Sequence, residues 1–334
     1  MAFSIMLYHL TGDYLSKPDA ASVLGRLGIY AVSIFFILSG LSMAYVYESY
    51  IKDMLTSLRF YAKRIFRIWP LLWLSVLLVT IPRLVLHGLF DLQQVLLNLT
   101  TLFAFLDPSA YINRGAWSIG NEIVYYSITP LLLLAYNRSR KFGNIITLMT
   151  VAIGIGYSSL YLSPTVPLAD QWQVYIDPLN NLFLYCIGIA IHYNCKDMKL
   201  GTKQPFILLV LTSILFSIVP VAGDQITIVT GINRIIFCML CIGLVISFRF
   251  VRIKIPRYAA EALELLGIVS YGVYLLHPVI NDYLAYALRL LRIDLHPVLM
   301  IALVSVLTIF SSIISYYMFE RQIVAVGRRL TSGG

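Results

Sequence analysis

The chain has 334 residues, 59% of them hydrophobic and 12% charged, with a mean hydropathy of +0.82 and a formal charge of +9. Soluble globular domains are about 45–50% apolar and about 25% charged, so a soluble enzyme, a disulfide-rich secreted module and a disordered chain are excluded. What remains is an all-α, polytopic membrane bundle in which the positive charge belongs to cytoplasmic loops rather than to a nucleic-acid surface.

A bilayer-spanning helix needs roughly 20 mostly apolar residues. In chain order the apolar runs are a stub at 1–10, then 27–47, 68–87, 117–136, 143–162, 178–194, 205–222, 228–248, 266–288 and 297–319. Counting the stub, this predicts about ten transmembrane helices, the first of them too short to cross alone. The run at 92–106 is shorter again and reads as a re-entrant or interfacial helix. Charge tests the order. Alternate loops around 52–67, 138–141, 196–203, 249–257 and 321–329 hold 18 Lys and Arg, whereas the opposite loops hold five: Lys17, Arg26, Arg114, Arg289 and Arg292. The bias predicts that both termini are cytoplasmic. The four cysteines lie in or beside apolar runs, and Cys238-x-x-Cys241 has no second ligand pair, so they read as reduced, buried thiols and no metal is expected.

Ionisable groups within membrane spans are costly, which makes each a functional candidate. His9 closes the stub, and an imidazole exchanges a proton near neutral pH without large tuning, yet an interfacial histidine facing headgroups fits the position equally. Glu122 lies early in 117–136, with Ser118 and Tyr125 on its helical face; a catalytic carboxylate and a structural ion pair are both open. Ser270, Tyr274 and His277 share a face just before Pro278, which should kink the helix and border a cavity. Arg83 reads as a snorkelling cation, while Arg234, in Gly231-Ile232-Asn233-Arg234, is more polar in context and is carried as a substrate contact beside His277, Tyr274 and Ser118. Arg64 and Arg67, three residues apart, would project together and clamp phosphate oxygens; positive-inside charge against anionic lipid is the other reading of the pair.

Taken in order, several segments resemble the membrane-bound acyltransferase-3 family, integral O-acyltransferases that act on bacterial surface carbohydrates. The resemblance is carried by Tyr8-His9-Leu10, Phe35 to Gly40, Arg64-Ile65-Phe66-Arg67-Ile68-Trp69-Pro70 and Trp117 to Glu122 with Tyr125, Tyr126 and Pro130. It continues through Asn181-Leu182-Phe183 to Gly188, Ser270-Tyr271 to His277-Pro278, and Tyr317-Met318-Phe319-Glu320-Arg321. It implies a single acyltransferase domain over 1–334 without an appended soluble domain, in the bacterial cytoplasmic (inner) membrane.

The resemblance further implies an acyl-CoA donor, usually acetyl-CoA, reaching the protein from the cytoplasm, and a glycan hydroxyl as acceptor, in lipopolysaccharide, exopolysaccharide or another surface carbohydrate. His9 takes the essential catalytic place, Arg64 and Arg67 meet the CoA phosphates, and Glu122 and His277 match positions of less defined duty. Family members carry an arginine about ten residues before the histidine, which here would precede Met1, so the first helix reads as shortened. Ser33 stands where an acidic residue is common. Transport of glycan, lipid or acyl groups without acyl transfer is the alternative of another class, and the absence of paired broken helices in the two halves argues against it. A non-catalytic scaffold in polysaccharide assembly is a third.

Overall fold

The computed structural model describes residues 1–88 and 90–332, and these form helices and loops with no strand among the described residues. In chain order the helices are α1 (Ala2–Tyr14), α2 (Val23–Tyr47), α3 (Met54–His87), α4 (Leu92–Leu99), α5 (Phe103–Leu106), α6 (Ala116–Arg138), α7 (Arg140–Gly156), α8 (Trp172–Ile176), α9 (Pro178–Cys195), α10 (Lys203–Ile218), α11 (Ile226–Val229), α12 (Gly231–Phe250), α13 (Arg257–Leu291), α14 (Pro297–Ser315) and α15 (Arg321–Ser332). Single π-helical stretches, Tyr157–Tyr161 and Tyr316–Glu320, prolong α7 and join α14 to α15.

The expected ten crossings are corrected by helix length and composition. Six helices are long and apolar enough to cross a membrane: Val23–Tyr47, Met54–Leu86, Arg140–Tyr161, Gly231–Phe250, Arg257–Leu291 and Pro297–Thr331. Leu168–Ile176 and Pro178–Cys195, bent by 59° at Asp177, make a seventh if taken as one broken span. The 13 residues of α1 rise only about 20 Å, against a hydrocarbon core of about 30 Å. α10 has 16 residues. α6 is long enough, but Ser118, Asn121, Glu122 and three tyrosines dilute its apolar character.

The chain packs as two compact units. One holds Met1, Pro18–Thr56 and Val124–Lys254; the other holds Ala2–Lys17, Ser57–Ile123 and Ile255–Gly334. In the first, α2 and α9 lie backbone against backbone. A Cβ on Gly40 would run into the Tyr185 carbonyl, and one on Gly188 into the Ile37 carbonyl, so each helix supplies the glycine that admits the other. Buried Arg26 donates to the carbonyls of Ala20 (2.9 Å), Phe216 (2.7 Å) and Val219 (2.6 Å). The last two lie at the C-terminal end of α10, where carbonyls lack helical partners and the helix dipole favours a cation.

In the second unit α1 packs against α13 and α14, and α3 is tied to α13 by tyrosines. Tyr271 donates its hydroxyl to the Ile68 carbonyl (2.8 Å) and Tyr283 to the Leu78 carbonyl (2.9 Å). The second bond follows from sequence: Pro82 lacks the N–H that would otherwise serve Leu78, four residues earlier, and Tyr283 supplies the missing donor. Between α3 and α6 the described residues form only the short α4 and α5. Asn98 holds that segment, donating to Gln94 (2.9 Å) and Ala110 (2.7 Å) and accepting from the Ile112 amide (2.9 Å).

Candidate active site

The second unit gathers most of the residues that the sequence marks. His9, on the buried side of α1, places Nδ1 2.9 Å from Nε2 of His277, and the rings stack at 5.2 Å with 22° between their planes. His277 is 1% exposed, and its Nδ1 lies 3.0 Å from the Val273 carbonyl one turn back on α13. The hydrogen-bond network assigns the protons. A carbonyl only accepts, so Nδ1 of His277 carries a hydrogen, and in a neutral ring its Nε2 is then a bare acceptor. His9 therefore donates from Nδ1, and Nε2 of His9 is left with its lone pair. This is the tautomer a general base requires, oriented by a second ring that is itself oriented by backbone.

Pro278 follows immediately and withholds an N–H from the Tyr274 carbonyl, loosening the ladder at this turn of α13. Ser118 on α6 and Tyr274 on α13 are joined at 2.7 Å, and Ser118 also donates to Gly115 (3.2 Å), so the tyrosine hydroxyl donates to the serine. Asn113 ties the start of α6 to α13 by donating to the Leu275 carbonyl (2.9 Å). One turn beyond His9, Asp13 pairs with Arg114 (3.1 Å) and accepts from Asn281 (3.4 Å), while Tyr14 donates to Asn281 (2.6 Å). Asn113, Arg114 and Asn281 also line a polar cavity of about 400 Å³, together with Arg83, Tyr111 and Asp282 among others, which opens beside Pro278. The site is thus an imidazole pair, His277 buried and His9 half-buried, next to a polar chamber with donors and acceptors around it.

Arg64 and Arg67 occupy the same unit on α3, well before its Pro82. Arg67 stacks over the Tyr271 ring at 5.7 Å and pairs with Glu320 at 3.4 Å, and Arg64 lies over the Phe60 ring at 6.0 Å. Glu122 is half-buried one turn past Ser118. Arg234 is not among them: it belongs to the first unit, where it is buried, donates to the Asn180 carbonyl (2.7 Å) and stacks on Phe183 at 5.5 Å. Sequence reasoning assigned no role to Asp13, Tyr14, Asn113, Asn281 or Glu320. The last carried a signal, a carboxylate ending an apolar run with no cation one turn away; the others resemble ordinary loop polarity until the helices meet. Among the described residues no three His, Cys, Asp or Glu side chains cluster as metal ligands.

Comparison with known proteins identifies the family. The model of the acyltransferase-3 family, described as an acyltransferase domain, matches residues 1–317, and the chain belongs to that family. It is similar to a protein of Acidianus two-tailed virus named "Putative acetyltransferase ORF330", 23% identical over 232 residues, 68% of this chain and 66% of the viral protein. A Haemophilus influenzae protein whose name states no function is 28% identical over 232 residues, 62% of this chain and 94% of its own length. The chain thus spans just under two thirds of the viral relative. No solved structure matches it significantly.

Proposed function

We propose that the protein is a membrane O-acyltransferase that moves an acyl group, acetyl in the simplest case, from cytoplasmic acyl-CoA to a hydroxyl of a surface or exported glycan. The observation that carries this reading is the chain of bonds from the Val273 carbonyl through His277 to His9, which leaves Nε2 of His9 basic. An acceptor hydroxyl is a poor nucleophile and must lose its proton as it attacks. Nε2 of His9 takes that proton while the hydroxyl oxygen bonds to the thioester carbonyl carbon. The tetrahedral adduct then collapses, the carbon–sulfur bond breaks, and the CoA sulfur recovers the proton from His9. Both bonds and the proton balance, and His277 is a positioning residue that accepts from the transient imidazolium.

Arg64 and Arg67 are suited to the phosphates of the donor, since two guanidiniums one turn apart present several charge-assisted donors. Arg67 keeps 35% of its side chain accessible despite its pairing with Glu320. Ser118 and Tyr274, joined to each other, form a wall against which the acceptor can be oriented, and Glu122 is assigned a catalytic part as the neighbouring carboxylate. Arg234, in the other unit, is proposed as a substrate contact only on the strength of its polar sequence context. Family membership supports placement in the bacterial cytoplasmic membrane, and the charge bias supports both termini being cytoplasmic. Mass spectrometry of surface glycans from cells with and without the gene tests the reading. Loss of an acyl group from one glycan is expected, and an unchanged acylation pattern contradicts it.

A further inference from the structure

A second cavity, about 570 Å³, opens beside the polar chamber in the second unit, between the later half of α3 and the start of α4. Arg83 and Ile112 line both, so the two spaces share a wall. Ile112 is fixed there by the bond from its amide to Asn98, the residue that also braces α4 through the Gln94 and Ala110 carbonyls. Hydrogen bonds within the protein therefore set the shape of this wall before any ligand enters.

Thr80 lines the second cavity with an unmet requirement. It is only 9% exposed, yet its hydroxyl has no hydrogen-bond partner among the described residues. A helical threonine ordinarily donates to a carbonyl three or four residues back, and a buried hydroxyl left unpaired is costly. From α4, the Gln94 side-chain amide also makes no hydrogen bond among the described residues, although its backbone is held by Asp91 (3.0 Å) and Asn98 (2.9 Å). Phe90, half-exposed, adds an apolar ring to the same lining.

The charges around the two cavities are matched. Arg83 and Arg114 both act on Asp282, Arg114 pairs with Asp13, and Asp91 caps the start of α4. Two guanidiniums are thus set against three carboxylates, which favours a neutral ligand over an anion. A hydroxyl without a partner, a free carboxamide and an aromatic ring together suit a sugar, which presents hydroxyls at its edge and C–H bonds on its face.

We infer that the α3–α4 cavity is a subsite for an uncharged sugar residue joined to the one that is acylated. Thr80 and Gln94 bond its hydroxyls, Phe90 covers its C–H face, and the reacting hydroxyl lies in the neighbouring chamber beside Pro278. The acceptor is then at least a disaccharide. Calling this ligand the acceptor rests on the proposed acyl transfer; binding of the sugar does not.

The test is saturation-transfer NMR on the full chain in phosphatidylcholine nanodiscs, with maltose, cellobiose and lactose as neutral probes and glucuronic acid as the anionic control. Saturable binding of at least one disaccharide is expected, with glucuronic acid weaker. Gln94→Ala and Thr80→Val should each weaken that binding about 5- to 10-fold, the scale of one lost hydrogen bond. Thr80→Val keeps the side-chain shape and removes the unpaired hydroxyl, so the sugar-free variant should melt no lower than the wild type. A merely structural threonine predicts the opposite, a lower melting temperature with unchanged binding. His9→Ala should leave binding intact, so a failed catalytic assignment does not disturb this result. The inference is overturned if no disaccharide saturates, if either cavity variant binds like the wild type, or if glucuronic acid binds as tightly.

Discussion

Nδ1 of His9 and Nε2 of His277 lie 2.9 Å apart, although 268 residues separate them in the chain. The contact joins the 13-residue α1 to the 35-residue α13, and it decides which nitrogen of His9 can act as a base. Replacing His277 should therefore damage catalysis without touching substrate directly. His277→Ala frees His9 to adopt the other tautomer, and kcat should fall by about 10²-fold or more, the range of general-base assistance. His277→Gln keeps an acceptor near Nδ1 of His9 and should recover part of the loss. Steady-state kinetics over pH 5–9 check this, because a purely structural role for His277 predicts no recovery and an unchanged pH profile.

The pairing of Arg67 with Glu320 makes a second, separable prediction. Arg67→Lys removes the planar fork and should raise the KM for acyl-CoA about 10-fold with little change in kcat. Glu320→Gln removes the competitor for that guanidinium, so donor KM should stay level or fall while thermal stability drops. A rise in KM for Glu320→Gln would count against a donor role for Arg67.

The seam between α2 and α9 has no side chain to yield at Gly40 or Gly188. Alanine at either position forces the backbones apart, and the expected cost is about 1–3 kcal/mol, as for other overpacked contacts. Thermal unfolding in detergent should show the loss for Gly40→Ala and Gly188→Ala, and the double variant should fall short of their sum because one separation of the two helices makes room for both methyl groups.

The spans illustrate what a hydropathy reading can and cannot see. Apolar composition marks α2, α12 and α14 within a few residues, because their runs are long and uninterrupted. It overreaches at α10, where the apolar run continues past the helix end at Ile218, while at 178–194 it matches α9 itself and misses the short Trp172–Ile176 helix that precedes the bend at Asp177. It also undercounts α3 and α13, whose helices run well beyond the bilayer-length window into charged sequence. His9 and His277 were legible one at a time, as costly ionisable groups in apolar surroundings. Their meeting was not, since no local pattern relates positions so far apart, and the partners of Asp13 were hidden for the same reason. Arg83 reads from sequence as a snorkelling cation, whereas the fold places it on the shared wall of two cavities.

At the end of α2, Glu48 accepts from Lys196 (2.7 Å) and from His192 (2.7 Å). Burial by itself would raise its carboxyl pKa, but these two partners outweigh burial and hold it below its ordinary value of 4.5. A lowered folded-state pKa contributes stability that is complete above the unfolded value and lost as pH falls through the folded one. The stability difference between wild type and Glu48→Gln should therefore be constant from pH 7 to about pH 5 and close below pH 4.5. Melting curves across that window check it, and a gap that persists in acid would assign the effect to packing instead.

The most direct measurement is single-turnover acyl transfer by the purified protein in nanodiscs, followed by release of the CoA thiol in the presence of a glycan acceptor. With His9→Ala the transfer rate should fall at least 10²-fold while acyl-CoA binding is retained. Transfer at the wild-type rate in that variant would contradict the assignment of His9 as the base.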